Sequence, residues 1–476
     1  MTRRPGSRPP LQAEGRTTLT NAKVPYHTVE EEQAAREIAV AAQLDVWRRH
    51  LPALFQKLAR IPDPRRAGSV RHQLTVVLFY GLLLFVFQYA SRREANRNAT
   101  SPALAEALRQ VFPDIQSIPH YDTVERLLRT IPVEDWEAVL EDCITTILRK
   151  HGVQQYLVDR RWVVAIDGTQ KFARHQPFAD EALRRRISDG ESLYRVYVLE
   201  AVLVTGQGLT LPLMTEFAEN PVGADEDTKQ DCEQNAFRRL ARRLKQWFPR
   251  RRLLLVLDGL YPNGPVMALC RQYRWDFMMV LPRNCLPSVW DEVAGLITLD
   301  TEDEQCCAYH WGDRDQVFRW VNDMDYVYRA PTGQVLRQRV HVALCQETWV
   351  DADGRPHRAL WSWISGQRLD AHNMVGRCNR AGRHRWAIEA EFLVEKRHGD
   401  HFEHAFSYSW TALKGWHYLM KLARLLNVLT LWSPVGSDLL KRRGYCDTVR
   451  FLRETWTGRW LSPEFLQARC IGSLAP

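Results

Sequence analysis

Two aspartates of the chain each follow a run of aliphatic residues and precede a glycine. The runs VVAI and LLLVL lead to Asp167 and Asp258, which lie 91 positions apart. Such runs favour buried strands, so each carboxylate is predicted at the exit of a strand. Two carboxylates at neighbouring strand ends repel each other and usually serve a divalent cation, and oxygen ligands suit Mg²⁺ or Mn²⁺. A pair of ordinary Asp-Gly turns is the alternative.

A third carboxylate lies in RHRWAIEAEFLVEKR, a segment with helical character. Its residues Arg385, Glu389 and Lys396 are spaced by four and seven positions, which places all three on one face of a helix. Glu391 and Glu395 share the segment but lack an arginine four positions before and a lysine seven positions after. The pattern therefore favours Glu389 as the candidate acid, with a surface stripe of ion pairs as the alternative.

The elements that must position these acids follow from the periodicity of the sequence. After residue 160 we predict three strands, WVVAID, YRVYVLEAVLV and GLTLPLMTEF, with a hairpin turn at GQG between the last two. A basic amphipathic helix follows from about Asp227 to Trp247, and strands then alternate with helices. This order predicts a mixed sheet. Residues 370–397 are predicted to form one long helix.

Composition and periodicity divide the chain into six segments. Residues 1–27 are rich in Arg, Pro, Thr and Gly and are predicted to be a disordered basic tail. Residues 28–155 are predicted to form a helical domain, and its long apolar run, Leu74–Tyr89, a buried helix. A DNA-binding role for this domain stays open beside the plain supporting role that the sequence favours. The remaining segments are the first part of an α/β core (156–283), a β-rich insertion (284–368), a helix that carries Glu389 and completes the core (369–408), and a helical C-terminal region (409–476).

The charge of the chain indicates an anionic partner. Its 65 Lys and Arg residues against 56 Asp and Glu residues give a net charge of +9, and the basic residues are clustered. Clustered arginines point to a polyanion such as nucleic acid, with solvated helix faces as the alternative. The predicted basic helix supplies the candidate backbone contacts, which are Arg238, Arg239, Arg242, Arg243 and Lys245.

The cysteines and the N-terminal residues bear on the compartment. Ten scattered cysteines without C-x-x-C spacing indicate reduced thiols rather than a disulfide framework or a zinc site. The start, MTRRPGSRPP, has no apolar core of a secretory signal, and the run Leu74–Tyr89 is short for a membrane span. We therefore expect a cytoplasmic protein that does not contact a membrane.

The order of strand-Asp, strand-Asp, β-rich insertion and Arg-x3-Glu-x6-Lys resembles the DDE transposases of bacterial insertion sequences, which have a ribonuclease-H-like core. The helical motif is similar to the Tyr-x2-Arg-x3-Glu-x6-Lys signature of one large branch, with Gly382 at the tyrosine position. The stretches VVAIDGTQKF, TLPLMTEF, KQDCE and LDGLYPNGPVM resemble ISNCY-type transposases, and the resemblance spans roughly residues 45 to 430. It implies a multidomain α/β protein: a ribonuclease-H-like mixed sheet with a β-rich insertion, flanked by all-helical N- and C-terminal regions.

The resemblance also implies a chemistry. Asp167, Asp258 and Glu389 would hold two Mg²⁺ or Mn²⁺ ions, one to activate the attacking hydroxyl and one to stabilise the leaving 3′ oxygen of a phosphodiester. The freed 3′-OH would then attack target DNA, while Arg385 and Lys396 contact phosphates. The implied partners are transposon terminal inverted repeats, target DNA and a second copy of the chain in a paired-end complex, associated with a bacterial nucleoid. The alternatives are a metal-dependent nuclease or resolvase on the same core and a domesticated, inactive DNA-binding protein.

The histidines of KRHGDHFEH are a weaker signal. His398, His401 and His404 lie near Glu403, but their spacing matches no closed zinc site. We predict that they are structural or DNA-facing polar residues.

Overall fold

The computed structural model describes residues 26–149, 151–187, 191–221, 223, 230–300, 304–330 and 332–473. The predicted basic tail, 1–27, lies outside these residues except for its last two positions. The described chain is a mixed α/β protein in which helices precede and follow a ten-stranded sheet. The predicted combination of a mixed sheet with helical N- and C-terminal regions is confirmed.

Helices form the N-terminal region. Within the described residues they are α1 (Val29–Leu58), α2 (Leu74–Val86), α3 (Arg92–Asn98), α4 (Pro102–Val111), α5 (Tyr121–Leu128) and α6 (Val133–Arg149). All thirteen residues of α2, LTVVLFYGLLLFV, are buried, because a helix that is apolar on every face must be covered on every face. In the part of the chain that the structure describes, no helix combines the length and apolar character needed to cross a membrane.

The C-terminal helices cover the N-terminal ones. They are α12 (Trp410–Leu431), α13 (Pro434–Arg443), α14 (Tyr445–Thr457) and α15 (Pro463–Gln467), and α12 contacts α1, α2, α5 and α6. The approach is close at Gly81 of α2, where a Cβ atom would lie 2.8 Å from Val124 and 3.0 Å from Leu419. The two ends of the described chain therefore build one helical body with a shared core.

The strands form one sheet beside this helical body. They are β1 (Trp162–Arg174), β2 (Leu183–Arg186), β3 (Ser192–Val204), β4 (Thr210–Ala218), β5 (Leu253–Leu257), β6 (Asp276–Val280), β7 (Cys306–Trp311), β8 (Arg314–Arg329), β9 (Val335–Val350) and β10 (Pro356–Ser365). Their order is β2-β3-β1-β5-β6-β10-β9-β8-β7, and β4 pairs with β3. Strands β1, β5 and β6 are parallel, whereas β3 and β4 join them in antiparallel fashion. The sheet is thus mixed, as predicted.

Helices connect the parallel strands. Helix α7 (Glu233–Trp247) lies between β4 and β5, and α8 (Gly264–Gln272) lies between β5 and β6. Helix α7 packs against β3 and β4 through its apolar face, which includes Phe237, Leu240 and Leu244. The basic helix begins at Glu233, later than the predicted Asp227, because Cys232 has an extended backbone, and residues 224–229 lie outside the described part.

Two predictions about the elements around the acids were wrong. Strand β1 does not end at Asp167 but continues to Arg174, because the long partner strand β3 pairs with it from Val164 to Arg174, with a register shift between Gln170 and Phe172. Residues 370–397 do not form one helix. They form α10 (Met374–Asn379), a 3₁₀ turn (Gly382–Arg385) and α11 (Trp386–Arg397), and the turn brings Gly382 so close to Trp363 that a Cβ atom would lie 2.8 Å from the indole nitrogen.

The segment 284–368, predicted as a β-rich insertion, begins with helix α9 (Pro287–Leu299) and continues with strands β7 to β10. These four strands pair in antiparallel order, and β10 pairs with β6. The segment therefore extends the sheet that carries the two aspartates.

Candidate active site

Asp167 and Asp258 occupy matching positions on adjacent parallel strands. An offset of 91 positions pairs Trp162 with Leu253 and Ala165 with Val256, and the same offset separates the two aspartates. Asp258 directly follows the last residue of β5, whereas Asp167 lies inside β1. Because neighbouring strands are about 4.8 Å apart, the shared register brings both carboxylates to the carboxyl end of β5.

Burial and charge both act on these carboxyl groups. The side chain of Asp167 is 17% exposed, and its Oδ1 accepts a hydrogen bond from the Gly168 amide at 2.8 Å. Burial, reinforced by the negative charges of Asp258 and Glu233, raises the pKa of Asp167 to about 6. The pKa of Asp258 is also raised, chiefly by burial, although the Leu260 amide donates a hydrogen bond to its Oδ1 at 2.9 Å. In the free protein, burial and neighbouring negative charges therefore oppose the ionisation of both aspartates together.

Glu389 of helix α11 is linked to Asp167 by the side chain of Arg385. The guanidinium Nη2 of Arg385 donates a hydrogen bond to Glu389 Oε1 at 2.6 Å, and its Nη1 lies 3.7 Å from Asp167 Oδ2. The side chain of Arg385 is only 6% exposed, whereas that of Glu389 is 40% exposed. Among the described residues, the buried Nε of Arg385 has no hydrogen-bond partner. One arginine thus joins the helical acid to the strand acid and keeps a donor unused.

The other two glutamates of α11 are held elsewhere. Glu391 accepts hydrogen bonds from Arg424 Nε at 2.6 Å and from Thr210 Oγ1 at 2.8 Å. Glu395 accepts two from Lys421 Nζ, at 2.7 and 3.0 Å. Both carboxylates are buried in ion pairs with helix α12, so Glu389 is the acid of α11 that faces the aspartates.

A fourth carboxylate, Glu233, was not assigned a role from the sequence. It lies in the first turn of α7, where its Oε2 accepts a hydrogen bond from Tyr197 at 2.6 Å and its Oε1 one from Tyr261 at 2.7 Å. Its charge contributes to the raised pKa of both Asp167 and Asp258. Its position in KQDCE, at the start of the helix that follows the strand meander, is the signal that could have found it.

The predicted phosphate contacts differ in their surroundings. Arg239 pairs with Glu216 and Asp231, and Arg243 pairs with Glu216 and Glu137, all at 2.5–2.6 Å.

Arg385, described above, is the most buried of the other predicted contacts, and the remaining four are less enclosed. Lys245 donates hydrogen bonds to the carbonyls of Pro249 and Tyr273. Lys396 lies 3.4 Å from Glu403. Arg238 and Arg242 are exposed. Within the basic helix, the outward-facing cations are therefore Arg238 and Arg242.

One region of the chain matches a known protein family. Residues 55–144 match the family model described as DDE_Tnp_1-associated. The match indicates a DDE-type transposase family. No curated protein matches the chain. The matched residues run from the end of α1 to α6, and the four carboxylates of the site lie outside them.

The present spacing of the carboxylates does not close a metal site. Within the described ranges, no group of three or more His, Cys, Asp and Glu side chains is arranged to hold a metal ion. Arg385 lies between Glu389 and Asp167, and its positive charge lowers the pKa of both aspartates against the effect of burial. The donor set consists of carboxylate oxygens, which suit Mg²⁺ and Mn²⁺ in chemical type. The site thus offers the ligands of a hard cation with an arginine in their midst.

Proposed function

We propose that the chain is a DDE transposase that cuts DNA at transposon ends and joins the 3′-OH ends to target DNA, with Asp167, Asp258 and Glu389 as its acids. The observation that carries the proposal is the matching register of Asp167 and Asp258, to which Arg385 links Glu389. The family match in the N-terminal region supports a transposase over other enzymes that use acids on a sheet.

We propose that the core is ribonuclease-H-like. The supporting observation is the order of its central strands: antiparallel β4, β3 and β1, followed by parallel β5 and β6. Helices α7 and α8 make the crossovers on either side of β5. Such a rigid sheet holds carboxylates in a fixed relation, which metal-dependent chemistry needs.

Mg²⁺ is the cofactor that we propose, with Mn²⁺ as a substitute. Two such ions per site would polarise a phosphodiester and activate the hydroxyl that attacks it. Asp167 and Asp258 would hold these ions, and Glu389 would join them once Arg385 turns toward a phosphate. The unused Nε donor and the planar guanidinium of Arg385 fit that second role, because arginine binds phosphate oxygens through paired N–H groups. Arg385 thus neutralises the acids in the free protein and contacts DNA in the complex.

Glu233 is a positioning residue in this proposal. Its two tyrosine hydrogen bonds fix its carboxylate beside the aspartates, where it adds negative charge to the site. The additional charge favours the binding of cations and disfavours ionised aspartates when no cation is bound. Neither tyrosine hydroxyl is in a state to ionise, because burial and the charge of Glu233 raise the pKa of Tyr197 and Tyr261.

The test is a cleavage and strand-transfer assay with Mg²⁺ on labelled duplex DNA that carries the inverted repeats flanking the coding region. Asp258→Ala should abolish cutting and leave DNA binding unchanged. Asp291→Ala, which removes an exposed carboxylate from α9, is the matched control and should cut normally. If Asp258→Ala still cuts, the assignment of the acids fails. If the wild-type protein cuts but never joins ends, the chain is a metal-dependent nuclease or resolvase.

A further inference from the structure

Two adjoining concave surfaces are lined largely by the N-terminal helical region, and none of the four carboxylates of the candidate site lines them. One has a volume of 640 Å³ and is lined from the loop before α2 and from α5, and the other has a volume of 550 Å³ and is lined from α3, from α5 and from the segment after α11. His120 lines both, so they form one continuous depression. We call it the basic groove, defined by six arginines: Arg65, Arg71, Arg92, Arg93, Arg97 and Arg126.

Most of the charge in the basic groove is available to a ligand. Arg71, Arg93, Arg97 and Arg126 are exposed. Arg65 pairs with Asp63, and Arg92 lies 3.5 Å from Asp122 and 3.8 Å from Glu125. Asp122 is the one acidic side chain among the described residues of the lining. The groove is therefore strongly positive, and a polyanion is the ligand that its chemistry favours.

The arginines stand on a rigid base. Tyr121 of α5 stacks on Tyr80 of α2 with ring centroids 4.3 Å apart, and its hydroxyl donates a hydrogen bond to the Tyr80 carbonyl. The Tyr121 amide donates a hydrogen bond to Asn96 Oδ1 of α3 at 3.0 Å. These contacts fix α2, α3 and α5 relative to one another, so the backbone positions of Arg92, Arg93, Arg97 and Arg126 are fixed as well. Several cations along one groove suit a ligand that carries many negative charges.

The basic groove also adjoins the segment that leaves the helix of Glu389. His404, Ala405 and Phe406 line the part of the groove next to α3, only a few residues beyond the end of α11. That segment is anchored to β1, because Lys171 donates a hydrogen bond to the carbonyl of Phe402 at 3.1 Å. A long ligand in the groove would thus lie against an element that connects directly to both acid-bearing elements, β1 and α11.

We propose that the basic groove binds the phosphate backbone of duplex DNA and holds it in register with the carboxylates. Duplex DNA presents one charge per about 1.7 Å of its axis, so it can contact several arginines of the groove at once, which a small anion cannot. The contacts are to phosphates, so they position DNA without reading its sequence. The choice of DNA over other polyanions rests on the proposed function, whereas the location of the groove does not.

The experiment measures binding of fluorescently labelled 30-base-pair duplexes of unrelated sequence by anisotropy, in EDTA and over a range of NaCl concentrations. The variant Arg93→Gln/Arg97→Gln removes two exposed charges at one end of the groove, and Arg71→Gln/Arg126→Gln removes two at the other. Each should weaken binding to every sequence and make the slope of log affinity against log salt shallower by about 1 per lost contact. The matched control, Arg48→Gln/Arg49→Gln, removes two exposed arginines of α1 outside the groove and should bind as the wild type does.

Several outcomes would overturn the proposal. The first is that the groove variants bind with wild-type affinity and salt slope. The second is that the wild-type protein does not bind duplex DNA. The third is that the groove variants lose binding of an RNA hairpin but not of duplex DNA. Circular dichroism and thermal melting establish that the variants fold, so that a loss of binding reports the groove. If the wild-type protein binds DNA through the groove yet never cuts it with Mg²⁺, the proposed chemistry fails and the groove stands. If the wild-type protein cuts DNA while the groove variants bind it normally, the groove proposal fails and the proposed chemistry stands.

Discussion

Arg385 donates a hydrogen bond of 2.6 Å to Glu389, and this contact connects the helical acid with the strand acids because the same guanidinium lies 3.7 Å from Asp167. The arginine is the last residue of a 3₁₀ turn that precedes α11, so its backbone lies one helical turn before Glu389. A buried cation among carboxylates offsets their mutual repulsion. It also competes with any divalent cation for the same oxygens.

We therefore predict that Arg385→Gln separates metal binding from catalysis. Without the guanidinium, Mg²⁺ meets less competition, so the Mg²⁺-dependent rise in melting temperature should occur at lower Mg²⁺ concentration than in the wild type. Cleavage at saturating Mg²⁺ should fall by roughly 100-fold, because a donor to the phosphate is lost. The control is Arg380→Gln, which removes an exposed arginine from the end of α10 and should change neither property. An unchanged or weaker response to Mg²⁺ in Arg385→Gln would contradict the competition.

The raised pKa of Asp167 predicts a pH dependence of stability. In the folded protein this pKa is about 6, above the ordinary value of 3.8, so between these values the folded chain retains a proton that the unfolded chain has lost. The contribution of this group to stability should therefore decrease as the pH rises from about 4 to about 6.

Asp167→Asn should remove that dependence. In the absence of divalent cations, the variant should be more stable than the wild type at pH 7, by up to roughly 2–3 kcal/mol for a shift of about two pKa units. Urea unfolding between pH 4 and pH 7 measures the difference. Asp180→Asn, at an exposed position in the loop after β1, should unfold with the wild-type pH profile. A variant less stable than the wild type at pH 7 would show that the Asp167 carboxylate is stabilised in the free protein.

The register that brings the two aspartates together could be predicted in outline from the sequence. Aliphatic runs before Asp167 and Asp258 mark two buried strands, and helices between them require a parallel crossover, so their ends meet at one edge. The continuation of β1 beyond Asp167 was not predictable in this way. It depends on pairing with β3, in which Asp167 faces Glu200, and the residues from Gly168 to Arg174 carry no strong strand pattern of their own.

The orientation of the basic residues depended on partners distant in sequence. Arg239 and Arg243 look like the exposed arginines of an amphipathic helix, yet Glu216 of β4 and Glu137 of α6 pair with them. The spacing to Arg385 favours Glu389 among the three glutamates of α11, and in the structure Arg385 contacts both Glu389 and Asp167. The burial of Glu391 and Glu395 against α12 could not be predicted, since their partners Arg424 and Lys421 lie 33 and 26 residues away in the sequence.

Gly168 should tolerate no side chain, because it lies against the hydrogen bond that Tyr197 donates to Glu233. A Cβ atom at Gly168 would lie 2.1 Å from the Tyr197 hydroxyl and 2.8 Å from Glu233 Oε2. Gly168→Ala should therefore displace Tyr197, break its hydrogen bond to Glu233 and destabilise the protein by about 1–3 kcal/mol. Cleavage should fall while duplex DNA is still bound, as measured by the anisotropy assay.

Two further variants isolate the cause. Gly295→Ala is the matched control, because a Cβ atom there meets nothing within 4 Å and the residue lies in helix α9. It should be neutral or stabilising by up to about 1 kcal/mol. Tyr197→Phe keeps the ring but removes the hydrogen bond, so it should reduce cleavage with a smaller loss of stability than Gly168→Ala. Full activity in Tyr197→Phe would show that the hydrogen bond from Tyr197 to Glu233 is not needed for cutting.

Lys421 of α12 forms a buried ion pair with Glu395 of α11, and its removal tests what that pair contributes. Its ammonium group lies 2.7 Å from Glu395 and 3.1 Å from Glu200, and all three side chains are at most 2% exposed. Lys421→Met leaves two buried carboxylates without their cation, so it should cost about 3–5 kcal/mol of unfolding free energy, measured in urea at pH 7. The exposed Lys441→Met of α13 should change it by less than about 0.5 kcal/mol.

The double variant Lys421→Met/Glu395→Leu should recover part of that loss, because it removes one of the two orphaned carboxylates while filling the space. Cleavage by the double variant, assayed below its melting temperature, should match that of the wild type, since Glu389 and both aspartates are unchanged. If Glu395→Leu instead abolishes cutting while the protein remains folded, Glu395 acts as the third acid. Its buried ion pair with Lys421 would then have to open during the reaction, and the selection of Glu389 by its spacing to Arg385 would be wrong.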